Sequence, residues 1–260
     1  MVGIQAFWKS LLGIWEEFFV AVFAAVVGSL LMLPLLLSLL AFSGGLTAIG
    51  FLLLLVGVAG TAPFAFAGNY ALADQIAESK STSWRTWWEG SRAYWKPAAV
   101  WFTLFVGVIV LLLINFRFYN EIQAAWASWL QGFWLVLLVS WVAINLYVMP
   151  LYLLQVRREL RLAYRNAALM AASDPITIVV LLLVLGLMLA LFNLMALPLV
   201  TLLPPFAALL GATAVRLRLQ QVGLWKPFGS EAEEEPARRG SGSRAPENQR
   251  PVKPRDLDDR

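Results

Sequence analysis

Residues 18–70 read FFVAVFAAVVGSLLMLPLLLSLLAFSGGLTAIGFLLLLVGVAGTAPFAFAGNY, without a single Lys, Arg, Asp or Glu. A helix needs about 20 apolar residues to cross the hydrocarbon of a bilayer, so this run holds two crossings. A soluble core would have to break such a stretch with polar faces, whereas lipid makes no such demand. A second uncharged stretch runs from Pro175 to Val215. The whole composition agrees, with 60% hydrophobic and 14% charged residues and a mean hydropathy of +0.72. Soluble domains sit nearer 45–50% apolar and about 25% charged. The fold class expected is an all-α polytopic transmembrane bundle.

Six spans are predicted, at about 18–42, 47–69, 97–118, 129–153, 175–195 and 197–216. Pro34 and Pro63 fall inside the first two and should kink them, which neighbouring helices in a membrane can tolerate. Asp174 before Pro175 reads as an N-cap followed by Pro at the first helical position. Leu197-Pro198 and Pro204-Pro205 interrupt the last pair, which could form a broken or re-entrant hairpin. Phe7, Trp8, Leu11, Leu12, Trp15, Phe18 and Phe19 recur at helical spacing, so residues 4–17 are predicted as an amphipathic helix at the interface. The domain division expected is an N-terminal interfacial helix (1–17), a six-span domain (18–228) and a disordered tail (229–260). That tail mixes Glu, Arg, Ser, Gly and Pro and cannot bury enough apolar surface to order itself.

Orientation follows from the cations. Lys9, Lys80, Arg85, Arg92, Lys96, Arg157, Arg158, Arg161, Arg165, Arg216, Arg218 and Lys226 fall on one side of the predicted spans, and Arg117 alone on the other. The positive-inside rule then places the protein in the plasma membrane with both ends in the cytoplasm. This charge follows the spans, and the tail is nearly neutral, so nucleic acid is not expected as a partner. Anionic lipid is.

The chain has no Cys and no His, which excludes disulfides, thiolate catalysis, Cys/His metal sites and histidine acid–base chemistry. No P-loop is present, and no Asp or Glu falls inside a predicted span, so a coupled carrier would lack its usual carboxylate. No catalytic residue, metal site or cofactor is expected. Two linkers stand out instead. In SWRTWWEGSRAYWKP (83–97) the rings of Trp84, Trp87, Trp88 and Trp95 share one helical side, with Arg85, Glu89, Arg92 and Lys96 on its flank. Arg157, Arg161 and Arg165 recur at intervals of four in the second linker. Trp84, Arg85, Trp88, Arg92, Trp95, Lys96, Arg157, Arg161 and Arg165 are therefore candidates for docking a lipid or a partner, or plain interfacial anchors. Asn115, Asn145 and Asn193 are the candidate intramembrane polar contacts, either helix-to-helix hydrogen bonds or the lining of a path. Arg117 should snorkel outward and pair with Glu121, and Gly57, Gly60 and Gly68 permit close helix approach.

The order of APFAFAGNYALA (62–73), SWRTWWEGSRAYWKPA (83–98), NFRFYN (115–120), YVMPLYLL, RLAYRNAALMAASDPITIVVLLL and the closing LPLVTLLPP resembles the YesL-like family of bacterial membrane proteins over residues 5–220. Phe64 and Phe66 replace that family's small-polar turn ahead of the Ala-Leu segment. The resemblance implies a non-enzymatic accessory or scaffold of carbohydrate uptake and supplies no catalytic residues. The alternative is a permease-type subunit of a transporter powered by a separate ATPase, although the linker RNAALMAASDP lacks the Glu and Gly usual where such an ATPase docks. A membrane transporter complex is the partner expected besides the bilayer.

Overall fold

The computed structural model describes residues 2–122, 124–195 and 202–225, with residues 125 and 191–195 described by backbone alone. Within these the chain forms the helices α1 (Val2–Glu16), α2 (Phe18–Ser43), α3 (Thr47–Ala77), α4 (Trp84–Asn120), α5 (Ala125–Leu154), α6 (Leu160–Ser173), α7 (Pro175–Met195) and α8 (Leu203–Gln221). No strand occurs among the described residues, in agreement with the expected all-α bundle.

Among the described residues four helices are long and apolar enough to cross a membrane: α2, α3, α4 and the stretch Trp126–Leu154 of α5. A fifth crossing exists if α6 and the first part of α7, bent by 100° at Asp174, act as one. The described residues thus hold four or five candidate crossings where six spans are predicted. The sixth, at 197–216, begins in residues outside those described. The helix that follows, α8, is not among the candidate spans, and it is buried almost continuously from Pro205 to Leu217. It is a core helix, packed on α1, α3 and α5. The predicted tail (229–260), Lys226 and the Leu197-Pro198 break also lie outside the described residues.

Two boundaries move. The second predicted span ends at 69, yet α3 continues to Ala77 and carries Asp74 within it. The predicted interfacial helix at 83–97 and the third span are one helix, α4, capped by the Ser83 hydroxyl accepting from the Thr86 N–H. At 1.5 Å per residue its 37 residues reach about 55 Å, so about 25 Å extends beyond a 30 Å hydrocarbon layer. Pro97 does not interrupt it.

The α2–α3 turn closes on Gly45 at φ +75, a conformation that favours glycine, with the Leu46 N–H returning to the Ala41 carbonyl. Inside α3 a π-helical turn, Gly57–Thr61, precedes Pro63 and absorbs the carbonyl geometry that the proline ring disrupts. α1 buries Gly3, Ala6 and Ser10 against α7 and α8, with Ser10 Oγ donating to Thr213 Oγ1 at 3.3 Å, and turns Trp8, Leu12 and Trp15 outward.

Helix contacts are made through small residues, which lets backbones approach without a hydrophobic drive. A Cβ on Gly90 would strike Ala71, one on Gly68 the Trp87 ring and Ser91, and one on Gly211 the Leu146 carbonyl oxygen. Of the three glycines singled out in α3, Gly57 meets Leu35 and Gly68 meets α4, whereas Gly60 faces open space. Gly90→Val and Gly211→Val should each cost about 1–3 kcal/mol through overpacking. Gly132→Ala, with no neighbour within 4 Å, should be neutral or gain up to about 1 kcal/mol. Equilibrium unfolding in mixed micelles measures the difference.

Candidate functional site

One end of the bundle gathers most of the polar side chains that touch across helices. Arg216, on the last turns of α8, is 2% exposed and donates through Nη2 to Asp74 Oδ1 of α3 and, at 3.2 Å, to Glu78 Oε1 just beyond α3. Glu78 also meets Lys80, and the Arg216 guanidinium lies 6.0 Å from the centre of the Trp225 ring. Burial alone would raise the Glu78 carboxyl, but the hydrogen bond from Lys80 and the nearby Arg216 hold it below its ordinary value. Nearby, Asp174 caps α7 through the Thr177 N–H at 3.1 Å and its hydroxyl at 2.8 Å, as predicted, and meets Arg218 at 3.5 Å. Thr82 donates to Glu17 at 2.8 Å, which brings the start of α2 to the same end.

Sequence reasoning missed the Asp74–Arg216 pair, and with it the continuation of the second helix past the predicted span to carry an acid near its end. Windows of hydropathy stop at charges because an isolated charge in hydrocarbon is expensive. Here two such charges, 142 positions apart, neutralise each other, which no local window detects. The available signal was a lone Asp continuing the helical run of small residues in AGNYALAD.

On its other side Asp74 lines a cleft of about 270 Å³ with Gln75, Thr86, Glu89, Tyr94 and Arg158. Arg158 sits over the Tyr94 ring at 5.0 Å. The walls offer acceptors from two carboxylates, a fixed cation and a phenol, a set suited to hydrogen-bonding a small polar molecule. Among the described residues no three Asp or Glu side chains come together as metal ligands.

The docking candidates divide. Trp84, Arg85, Trp88, Arg92, Trp95 and Lys96 are exposed on the overhanging turns of α4, with the Arg92 guanidinium 5.0 Å from the centre of the Trp88 ring. Trp87, placed with them by helical periodicity, stacks beside Trp88 with ring centroids 6.5 Å apart but is turned in toward α3. It is fully buried and donates from Nε1 to Asn69 Oδ1 at 2.9 Å. Arg161 and Arg165 are exposed on α6, but Arg157 precedes that helix in a non-helical segment, so the three do not form one helical stripe.

The intramembrane amides also differ. Asn145, buried on α5, bonds its own helix at the Trp141 carbonyl and accepts from the Tyr164 hydroxyl of α6 at 3.1 Å, a helix-to-helix bond. Asn115 bonds its own helix, at the Leu111 carbonyl. The Asn193 side chain lies outside the described residues. Arg117 is exposed and pairs with Glu121 at 3.8 Å, as predicted.

Comparison of the chain with protein-family models, with curated proteins and with solved structures finds no match.

Removing one member of a buried ion pair strands the other, so Arg216→Met should cost about 3–5 kcal/mol, and Asp74→Leu added to it should restore much of the loss. Unfolding of the single and double variants measures the coupling. Because the Glu78 carboxyl titrates below its ordinary value, its contribution is present above that value, about 4.3 in free glutamate, and is lost as pH falls through the folded-state value. The drop in unfolding temperature on acidification below about pH 4.3 should therefore be smaller in Glu78→Gln than in the parent protein.

Proposed function

We propose that this chain is a non-catalytic component of the plasma membrane that serves as an accessory or scaffold, with its Asp74 end in the cytoplasm. The observation that carries this is the overhang of α4. Trp87 bonded to Asn69, and Gly90 seated against Ala71, clamp those turns onto α3. The exposed face then presents three rings and three cations on a rigid helix rather than on a loop. Such a face loses little side-chain and backbone freedom when it engages a partner, and its composition suits an acidic protein surface at the headgroup level.

A role beside a carbohydrate importer is the specific form of this proposal, and it rests on the resemblance to YesL-like proteins. The exposed Arg161 and Arg165 give the same end further positive charge. A permease-type subunit has one observation in its favour, a cleft where five helices converge. Its walls are apolar, which suits a sugar path poorly.

Two measurements test the proposal. The chain has no native thiol, so cysteines at exposed Ser43 and Ser128 should react with an impermeant reagent from outside, and one at exposed Ser81 should not. The reverse pattern overturns the orientation. Crosslinking in the native membrane, followed by mass spectrometry, should recover subunits of an importer, and Arg85→Gln, Arg92→Gln and Lys96→Gln combined should reduce that recovery at least tenfold. Equal recovery from the triple variant refutes docking through α4.

A further inference from the structure

Charges of opposite sign share the cleft beside Asp74 without meeting each other. Asp74 of α3, Glu89 of α4 and Arg158 of the connection between α5 and α6 all line its volume of about 270 Å³. Arg158 is held by a ring rather than by an acid, with its guanidinium 5.0 Å from the centre of Tyr94, itself a wall residue. Among the described residues neither Glu89 nor Arg158 belongs to an ion pair or a side-chain hydrogen bond. Asp74 gives Oδ1 to Arg216, whereas its Oδ2 has no partner there and yet is not shut off from solvent.

The sum of these charges selects the ligand. Asp74 and Glu78 are balanced by Arg216 and Lys80. What remains on the walls is one carboxylate, Glu89, and one guanidinium, Arg158. A simple anion entering the cleft would be repelled by the carboxylates and a simple cation by the guanidinium. A molecule carrying both signs brings a partner to each and leaves no charge over. An uncharged ligand such as a sugar would take water from Glu89 and Arg158 without neutralising either, which is costly. Arg158 also covers one side of the Tyr94 ring, where a sugar would stack. Size sets a further limit. At about 30 Å³ per water the cleft holds about nine waters, so its ligand has no more than about ten non-hydrogen atoms. Gln75 and Thr86 add an amide and a hydroxyl to the walls for one more polar substituent.

We propose that this cleft binds a small zwitterion, with a primary ammonium donating to Glu89 and Asp74 and an anionic group, carboxylate or phosphate, accepting from Arg158. Free amino acids and the headgroups of aminophospholipids share that chemistry. The site does not use Arg85, Arg92 or Lys96, so ligand binding here and partner docking on the outer face of α4 succeed or fail independently.

The test uses the full chain in nanodiscs of phosphatidylcholine, whose quaternary ammonium has no N–H to donate and whose two faces are both open to solution. Saturation-transfer NMR follows titration with L-serine and O-phosphoethanolamine, and with the two halves of serine, ethanolamine and 3-hydroxypropanoate. Both zwitterions should bind saturably with Kd below about 10 mM, and each half at least tenfold more weakly, because a charged hydrogen bond is lost. Glu89 and Arg158 are exposed, so their replacement leaves the fold intact. Glu89→Gln and Arg158→Gln should each weaken L-serine at least tenfold, and Arg161→Gln should leave it unchanged. Absence of saturable binding by both zwitterions overturns the proposal. So does ethanolamine or 3-hydroxypropanoate binding as well as L-serine, or a Kd unchanged in both glutamine variants. Replacing part of the phosphatidylcholine by phosphatidylethanolamine then assigns the source. Loss of L-serine binding in those discs makes the lipid headgroup the occupant, and unchanged binding makes it a free solute.

Discussion

An arginine at 2% exposure inside a bundle of apolar helices has to be neutralised where it stands. Arg216 is, by Asp74 and Glu78, and much of the arrangement follows from that requirement. The pair draws the C-terminal turns of α8 against the end of α3. α8 is thereby held in the middle of the helices, where it buries one residue after another from Pro205 to Leu217. Desolvating both charges is costly, so such a pair contributes little net stability compared with apolar replacements. Its effect is on register, because no other position along α3 offers Arg216 a carboxylate within the bundle.

Around that contact the helices fit through what they lack. Gly68, Gly90 and Gly211 each leave room for a neighbour that a single methyl group would displace. The same close approach brings Trp87 to Asn69, which pairs an indole N–H with an amide oxygen away from water. Small residues and one polar bond thus do between α3 and α4 what a large apolar interface does in a soluble protein, where burial itself supplies the drive.

The clamp on Trp87 has a consequence for the surface. Because one side of the first turns of α4 is fixed to α3, the other side is a continuous extension of a membrane span that holds its rings and cations in place. Trp84, Trp88 and Trp95 face outward with Arg85, Arg92 and Lys96. The deeper turns of the same helix line the apolar cleft with Trp101 and Phe105. A single helix therefore offers a polar-aromatic face on its first turns and an aromatic wall on the turns that follow.

Local chemistry determined a good deal of this. The uncharged runs, the Pro175 start behind Asp174, the Arg117–Glu121 pair and the aromatic periodicity of α1 are all set by residues within a few turns of one another, and each was legible in the chain. Helicity follows the same way, since backbone groups in lipid must bond within their own segment. What the sequence could not show are the features that need two distant segments to meet. It ended the second span short of Asp74 and counted Arg216 as a loop cation, because the charge that neutralises each lies 142 positions away. It placed Trp87 with the interfacial rings of Trp84, Trp88 and Trp95, because periodicity reports which residues share a side and not which side is covered. The burial of α8, the bond between Trp87 and Asn69, and the cleft around Trp101 were decided by tertiary packing alone, since a charge, an amide or a void acquires its energy only from what is brought against it.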